Sequence, residues 1–287
     1  MTGDLSDPGD LLAFQGVPGA YSHLACREVY PELTPYPCAT FADAFAALQD
    51  GAVDRALIPI ENSMAGRVAD IHALLPDSGL AIVAEHFLRV RHHLLAPKGA
   101  TLGSLRRVYS HIQALSQCRQ YLRAHGLDAI EVADTAGAAK DVAARGNPEE
   151  AAIASGLAGE IYGLDSLQAG IEDQLGNTTR FVALTRHRQD PDPLSAGPFM
   201  TSILFQVGSQ PSALYKALGG FATNGVNVVK LESYLIETFT VAQFYAEIEG
   251  HPADKAVDRA LDELRHFTIK MKVLGAYPAH PYRREKR

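Results

Sequence analysis

The hydrophobic periodicity of this 287-residue chain changes at one polar segment, and that change limits the folds open to the chain. In residues 11–186, short apolar runs alternate with stretches of helical period, which is typical of an α/β region with a largely parallel sheet. The segment at residues 187–199 is rich in proline, glycine and charge, and it predicts a linker. In residues 200–278 the order becomes β-α-β-β-α-β, which is ferredoxin-like. Two domains and a basic tail at residues 279–287 are therefore predicted.

The apolar runs and the helical spacings of the first domain place its predicted elements along the chain. Strands are predicted for LLAF, RALIPI, LAIVAE, RVYS, AIEVA and EAAIAS. Helices are predicted for residues 21–30, 42–50, 112–124 and 136–144. Neither a GxGxxG nor a Walker sequence occurs, so nothing in these motifs indicates nucleotide binding.

Charge and cysteine usage argue against several classes of partner. The net charge of −7 does not favour nucleic acid, and we interpret the basic run Arg283-Arg284-Glu285-Lys286-Arg287 as a solvated end. Cys26, Cys38 and Cys118 have neither CxxC spacing nor an even count, so we expect buried thiols in a reducing compartment. No metal site is predicted, because the histidines lack the spacing and the partners of metal ligands.

The start of the chain and its assembly can also be predicted from the sequence. Residues 1–10 are polar and acidic, and no run of about 18 apolar residues follows, so we expect a cytoplasmic protein without a membrane partner. A ferredoxin-like unit covers one face of its sheet with helices and leaves the other face and an edge open to a second copy. We therefore expect a homodimer or a homotetramer.

Polar side chains gather where predicted strands end. Glu61-Asn62-Ser63 ends one strand, Ser110 leaves another with His111 and Gln113 behind it, and Asn177-Thr178-Thr179-Arg180 precedes the apolar run from Phe181. Taken singly, these residues read as helix caps, β-formers and a surface cation. Taken together, they lie where open α/β sheets collect ligands, at the carboxyl ends of strands.

Four motifs in a fixed order carry a resemblance to one family. They are GVPGAYS from Gly16, IPIENS from Ile58, SHIQAL from Ser110 and NTTRF from Asn177. With them, the chain resembles prephenate dehydratase, and its C-terminal region is similar to an ACT regulatory domain. The resemblance extends from Leu11 to about Pro278.

The resemblance implies a fold, a reaction and a pathway. The catalytic region would consist of two α/β subdomains, similar to a type II solute-binding protein, with the active site in the cleft between them. The family converts prephenate to phenylpyruvate with loss of water and CO2 in phenylalanine biosynthesis, and it needs no cofactor. The chain resembles the monofunctional type, because too few residues precede Leu11 for a chorismate mutase.

The resemblance also implies roles for the polar residues. Thr179, in the Thr-Arg-Phe motif, is the candidate proton donor to the departing ring hydroxyl. Arg180 suits a substrate carboxylate, and we favour the pyruvyl carboxylate, because binding the ring carboxylate would oppose decarboxylation. Glu61 would repel a dianion unless it is protonated or turned away. The remaining residues expected to bind the substrate are Asn62, Ser63, Ser110, His111, Gln113, Thr178 and Phe181.

The regulatory region keeps part of the family's pattern and departs from the rest. Family ACT domains bind phenylalanine at a dimer interface through a Gly-Ala-Leu turn and a Glu-Ser-Arg-Pro segment. Here they read Ser212-Ala213-Leu214 and Glu232-Ser233-Tyr234-Leu235, with Asn227 upstream. The allosteric residues implied are Ala213, Leu214, Asn227, Glu232 and Ser233. Tyr-Leu in place of Arg-Pro leaves the strength and the sign of phenylalanine binding open, and an assembly role is the alternative.

Two rival functions stay open on the sequence. Arogenate shares the ring, the hydroxyl and both carboxylates with prephenate, so the motifs do not exclude an arogenate dehydratase. A non-catalytic sensor of amino acids would combine the same cleft with the same C-terminal domain, but it has no need of Thr179 beside Arg180.

Overall fold

A computed structural model describes residues 10–195, 197–236 and 241–285. Residues 1–9 of the acidic start and Lys286 and Arg287 of the basic tail lie outside the described residues. The helices are α1 Tyr21–Val29, α2 Phe41–Gln49, α3 Ala69–Leu74, α4 Ile112–Gln117, α5 Arg119–Ala124, α6 Thr135–Arg145, α7 Gly156–Tyr162, α8 Ala213–Thr223, α9 Lys255–His266 and α10 Tyr282–Glu285. The strands are β1 Leu11–Gln15, β2 Thr34–Cys38, β3 Arg55–Asn62, β4 Gly66–Arg67, β5 Ala81–Arg89, β6 His93–Ala96, β7 Arg107–Ser110, β8 Asp128–Glu131, β9 Glu150–Ala154, β10 Asp165–Ala169, β11 Thr178–Thr185, β12 Phe199–Val207, β13 Val228–Ile236, β14 Val241–Glu249 and β15 Lys270–Pro278.

The chain divides into two compact units. The first comprises Met1–Val68 and Phe87–Phe181, and the second comprises Ala69–His86 and Val182–Arg287. The strands β5 and β11 each continue from one unit into the other. The second unit therefore contains a segment from the first third of the chain. No local sequence pattern predicts that this segment belongs to the second unit.

Two mixed sheets form the α/β part of the described chain. One has the order β2-β1-β3-β11-β5, with β4 paired to β3, and the other has the order β10-β6-β9-β7-β8. Parallel pairs join β1 to β2 and β3, and β7 to β8 and β9. Antiparallel pairs join β6 to β9 and β10. The expected α/β class is confirmed, and two sheets agree with the two α/β subdomains that the resemblance implies. The expectation of largely parallel pairing is wrong, because both sheets contain antiparallel strands.

A distant carboxylate divides the helix predicted for residues 112–124. The helix α4 ends at Gln117 and α5 begins at Arg119, with Cys118 between them. The Asp173 carboxylate accepts hydrogen bonds from the backbone N–H groups of Gln120 and Tyr121. Because these groups lie in the first turn of α5, Asp173 supplies the cap that the local sequence lacks.

The C-terminal sheet has the order β13-β14-β12-β15, and all of its pairs are antiparallel. With α8 and α9 inserted after its first and third strands, this is the predicted ferredoxin-like β-α-β-β-α-β fold. Apolar side chains of β12, β14 and both helices form its core, including Ile203, Phe205, Phe221, Ala246 and Leu261.

The interpretation of the C-terminal arginines as a solvated end is wrong for Arg283. Its guanidinium binds both oxygens of Glu85 at 2.7 and 2.8 Å and one oxygen of Glu247 at 3.0 Å. The side chains of Glu85 and Glu247 are 0% and 1% exposed, so Arg283 compensates buried negative charge. Within the described residues, no helix has the length and apolar character needed to cross a membrane.

Candidate active site

A cavity of about 540 Å³ lies in the first unit. It is bordered by residues that follow strands of both mixed sheets, in agreement with the ligand position expected for α/β folds. Its lining includes Gly16, Val17, Ala20, Tyr21, Ser22, Pro59, Asn62, Val90, His92, His111, Gln113, Gln117, Asp134, Thr135, Asn177, Thr179 and Phe181.

The strand β11 presents alternate residues to this cavity. Thr179 and Phe181 line the cavity, whereas Thr178 and Arg180 do not. Because successive side chains of a strand point to opposite faces, these four adjacent residues cannot all reach one ligand. The sequence pattern begins the strand at the apolar run from Phe181, but β11 already begins at Thr178.

Arg180, which we expected to bind a substrate carboxylate, has a protein partner instead. Its side chain is 2% exposed, and its guanidinium lies 3.0 Å from the Glu61 carboxylate. It also lies 5.8 Å from the centre of the Phe87 ring. Glu61 is likewise outside the cavity lining, so the ion pair links β11 to β3 away from the cavity.

Three predicted ligands are used within the fold. The Ser63 hydroxyl donates to the carbonyl of Gly176 and accepts from the backbone N–H of Thr178, while the Thr178 hydroxyl donates to the same carbonyl. The Ser110 hydroxyl is fully buried and donates to the carbonyl of Ile153 at 2.6 Å. None of these three side chains lines the cavity. Each was predicted as a substrate ligand, but its hydroxyl holds adjacent backbone segments together.

The helix α4 brings two other predicted ligands to the cavity, His111 and Gln113. His111, and not Ser110, is the N-cap of this helix, and its Nδ1 accepts from the backbone N–H of Gln113 at 3.3 Å. Gln117, one turn further along α4, also lines the cavity. The spacing of four residues between Gln113 and Gln117 places both on one helix face and could have pointed to Gln117 in the sequence.

A chain of side-chain hydrogen bonds runs along the cavity wall and ends at Thr179. Tyr21 Oη lies 2.8 Å from His92 Nδ1, and His92 Nε2 lies 2.8 Å from Gln117 Oε1. Asn177 Nδ2 donates to Gln117 Oε1 at 2.8 Å. Asn62 Nδ2 donates to Asn177 Oδ1 at 2.7 Å and to Thr179 Oγ1 at 2.9 Å.

Two backbone N–H groups determine which atoms donate and which accept at the Thr179 end of this hydrogen-bond chain. Met64 and Ala65 each donate to Asn62 Oδ1 at 2.9 Å, so the Asn62 amide nitrogen must face Asn177 and Thr179. Thr179 Oγ1 is therefore an acceptor towards Asn62, and its own hydrogen remains available to a ligand in the cavity. This geometry leaves Thr179 able to donate a hydrogen bond to a ligand in the cavity.

Tyr21 and His92, at the other end of this hydrogen-bond chain, have surroundings that favour their neutral forms. Burial is the main cause that lowers the pKa of His92, and desolvation raises the pKa of Tyr21 well above its usual value. A neutral His92 that donates from Nε2 accepts at Nδ1 from the Tyr21 hydroxyl. The structure adds four residues to the predicted site: Tyr21, His92, Gln117 and Asn177. Tyr21 and Asn177 lie within the motifs and the spacing from Gln113 indicates Gln117, whereas nothing in the sequence indicates His92.

Comparison with known proteins identifies the family. The family model for prephenate dehydratase matches residues 12–189. A bifunctional N-acyl-homoserine lactone acylase/prephenate dehydratase of Komagataeibacter europaeus is 50% identical over 276 residues, which cover 96% of this chain and 98% of that protein. The chain belongs to the prephenate dehydratase family. It is a carbon–oxygen lyase, as the motifs predict.

Two further members of the prephenate dehydratase family are similar along most of the chain. Arogenate dehydratase/prephenate dehydratase 2 of Arabidopsis thaliana is 40% identical over 280 residues, which cover 93% of this chain and 72% of that protein. The crystal structure of the Arthrobacter aurescens prephenate dehydratase in complex with L-Phe has a TM-score of 0.85 at 29% identity, covering 94% of this chain and 90% of that chain.

The C-terminal ferredoxin-like region lies beyond residues 12–189, which the prephenate dehydratase model matches. Ser212 has φ +62°, the left-handed conformation that suits the glycine of the family's turn. Ala213 lines a second cavity of about 300 Å³, while Leu214 packs against the core. Asn227 donates to Glu249, and Glu232 lies 3.7 Å from Lys230. Asn227, Glu232 and Ser233 do not line that cavity.

Among the described residues, no three His, Cys, Asp or Glu side chains form a group that could hold a metal ion. Cys26, Cys38 and Cys118 are buried and outside any disulfide. Burial raises the pKa of Cys26 to about 12 and that of Cys38 to about 11, so both are thiols at neutral pH.

Proposed function

We propose that the chain converts prephenate to phenylpyruvate, CO2 and water, with Thr179 as the donor to the departing hydroxyl. The observation that carries the proposal is the direction of the hydrogen bonds at Thr179, which leaves its hydrogen available to the cavity. Family membership supports the reaction, and the cytoplasm suits a chain whose three cysteines are thiols.

The proposed reaction needs one well-placed donor. The bond between the ring and its carboxylate breaks, the carboxylate leaves as CO2, and its electron pair enters the ring. The ring becomes aromatic as the C–O bond breaks, and the hydroxide that leaves takes one proton to become water. A hydrogen bond from Thr179 stabilises the charge that develops on this oxygen, and solvent restores any proton that Thr179 gives up.

Side-chain amides complete the polar part of the proposed site. Gln113 and Gln117 line the cavity, and Gln117 Nε2 has no hydrogen-bond acceptor among the described residues. Phe181 and Pro59 contribute apolar surface for the ring. We assign Thr178, Arg180, Glu61, Ser63 and Ser110 to the support of the site, because their polar atoms are used within the protein.

Replacing Thr179 with Val tests the proposal. The side chains have similar shapes, so we expect Thr179→Val to lower kcat for prephenate by about 10² to 10⁴, the usual effect of losing a positioned donor. Thr179→Ser keeps the hydroxyl and should keep much of the activity. Steady-state assays of phenylpyruvate formation measure both variants. Wild-type turnover in Thr179→Val would remove Thr179 from the mechanism.

Arogenate is the nearest alternative substrate. The 40% identical plant relative is named for both dehydratase activities, and the two substrates share the reacting ring. The preference is measured by kcat/KM for prephenate and for arogenate with the same enzyme preparation. A larger value for arogenate would change the substrate of the proposal but not the roles of the cavity residues.

The acylase activity named for the Komagataeibacter relative is a second candidate. It is favoured by 50% identity that extends over nearly the whole of both chains. The cavity also has apolar surface from Val17, Ala20 and Val90 that could contact an acyl chain. Incubation with an N-acyl-homoserine lactone, followed by measurement of the released amine, tests this candidate separately from the dehydratase.

We further propose that the ACT region responds to L-phenylalanine in a homodimer or homotetramer. The proposal rests on the ferredoxin-like fold, on Ala213 beside a cavity, and on the related structure in complex with L-Phe. Phenylalanine can shift activity only if it binds one arrangement of the protein more tightly than another. Activity and sedimentation should be followed during a phenylalanine titration, and no response in either would leave only an assembly role.

A further inference from the structure

The lining of the active-site cavity contains no lysine or arginine among the described residues. Prephenate is a dianion, and Arg180, which we expected to bind one of its carboxylates, is paired with Glu61 away from the cavity. The site therefore needs another group that stabilises negative charge. Backbone N–H groups at the start of a helix can serve this purpose, because several of them point the same way and the helix dipole favours an anion there.

Of the helices that begin at the cavity, α6 and α4 have a side-chain cap. The Asp134 carboxylate accepts from the N–H of Gly137 at the start of α6, and His111 caps α4. The carboxylate of Asp134 also makes the start of α6 unfavourable for an anion.

The start of α1 differs, because its N-cap is Ala20 and no side chain caps it. The backbone N–H of Ala20 donates to the carbonyl of Val17. Leu24 is the first residue of α1 whose N–H donates within the helix, to the carbonyl of Ala20. The N–H groups of Tyr21, Ser22 and His23 find no acceptor among the described residues. Gly16, Val17, Ala20, Tyr21 and Ser22 all line the cavity, so this helix start faces it.

The Ser22 side chain provides an independent indication of a ligand. Ser22 is only 9% exposed and lines the cavity, and its hydroxyl has no hydrogen-bond partner among the described residues. Because no described group of the protein occupies this hydroxyl and it is reached from the cavity, it can form a hydrogen bond with a ligand there. Its position in the first turn of α1 adds a donor to the three N–H groups.

We propose that the start of α1, through its backbone N–H groups and the Ser22 hydroxyl, binds the pyruvyl carboxylate of the substrate. The inference rests on the proposed function of the cavity. The pyruvyl carboxylate is assigned because donors on the ring carboxylate would stabilise it before it leaves as CO2 and would oppose the reaction. Thr179 lines the same cavity and contacts the ring hydroxyl in this arrangement.

Variants of Ser22 and Ala20 test the site by KM and by product inhibition. We expect Ser22→Ala to raise KM for prephenate by about 10-fold, the effect of one lost charge-assisted hydrogen bond, with a smaller change in kcat. Ala20→Asp would cap the helix with a carboxylate and should raise KM by about 100-fold or more, while the neutral Ala20→Asn should raise it less. Ser116→Ala is the control, because its hydroxyl bonds within α4 and is outside the cavity lining.

Two measurements separate the inference from its alternatives. An N-cap Asp or Asn stabilises a helix, so thermal melting should show Ala20→Asp as stable as wild type, which excludes unfolding as the cause. Phenylpyruvate keeps the pyruvyl carboxylate and lacks the ring carboxylate, so its inhibition constant should rise in parallel with KM. An unchanged KM in Ser22→Ala and Ala20→Asp would overturn the site, and a raised KM with unchanged product inhibition would overturn the pyruvyl assignment.

A failure of the proposed function is distinguishable from a failure of this site. If the wild-type enzyme does not turn over prephenate, calorimetric titration with phenylpyruvate still tests the helix start in wild type, Ser22→Ala and Ala20→Asp. Weaker binding in both variants would support the carboxylate site without the reaction. Equal binding in all three proteins, or none to the wild type, would overturn it.

Discussion

The Asn62 amide connects a backbone turn to the Thr179 hydroxyl. Met64 and Ala65 hold its oxygen, and this leaves its nitrogen to donate to Thr179 and Asn177. Because a hydroxyl has one hydrogen, whether Thr179 can donate to a ligand depends on what its neighbour donates. The identity of one amide therefore determines whether Thr179 can act as a donor.

Asn62→Asp should reverse the hydrogen bond at Thr179 with little change in shape. The carboxylate introduced by this substitution can only accept, so Thr179 would donate to it and lose the hydrogen that the substrate needs. We expect kcat for prephenate to fall by about 10² and KM to rise, because the added charge repels a dianion. Asn147→Asp is the matched control, since Asn147 only accepts from the N–H of Glu149 and is outside the cavity lining. A kcat for Asn62→Asp within about twofold of wild type would rule out this role for Asn62.

At the residue scale, the motifs of the sequence identified Thr179, Asn62, His111, Gln113 and Phe181, which the structure brings to one cavity. The sequence did not show which side chains of β11 point to the cavity, because the turn residues before it allow the strand to start at Thr178 or at Phe181. That starting point decides to which face of the sheet Arg180 points. His92 is buried and central to the hydrogen-bond chain, yet nothing in its local sequence distinguishes it from a core histidine.

At the element scale, the apolar patterns predicted β1, β3, β7, β9, α1, α2 and α6 to within a few residues. These elements carry their own signals, such as the capping box of Thr40 and Asp43 at the start of α2. The break between α4 and α5 depends on Asp173, which is more than 50 residues away, so no local window could contain its cause.

The close approach of the turn before α1 to α7 depends on Gly19. Its φ is +90°, and a Cβ atom there would lie 2.8 Å from the Ala158 Cα. We expect Gly19→Ala to lower the free energy of unfolding by about 3 kcal/mol, from the positive φ and the backbone clash together. Gly146→Ala is the control, because Gly146 has φ +61° and open space around its Cα, so only about 1 kcal/mol should be lost. Urea denaturation at fixed pH measures both, and equal losses would show that the approach to Ala158 is not tight.

At the scale of the whole molecule, the second unit is built from two separate parts of the chain. It combines Ala69–His86 with the C-terminal part from Val182, and the boundary predicted at residues 187–199 came from composition alone. Within this unit, Glu85 belongs to the first part, and Glu247 and Arg283 belong to the second. Composition records where a chain is polar, but an ion pair across nearly 200 residues is a property of the folded molecule.

Arg283 should therefore contribute strongly to the stability of the second unit, although it lies near the end of the chain. Arg283→Met keeps the length of the side chain and removes the charge that compensates the buried carboxylates of Glu85 and Glu247. Losing one partner of a buried ion pair costs about 3–5 kcal/mol, so amide hydrogens of β14 should exchange at least about 100-fold faster. Arg284→Met is the control, because Arg284 is exposed and should change exchange little. Equal exchange in the two variants would mean that Arg283 is no more important than a surface arginine.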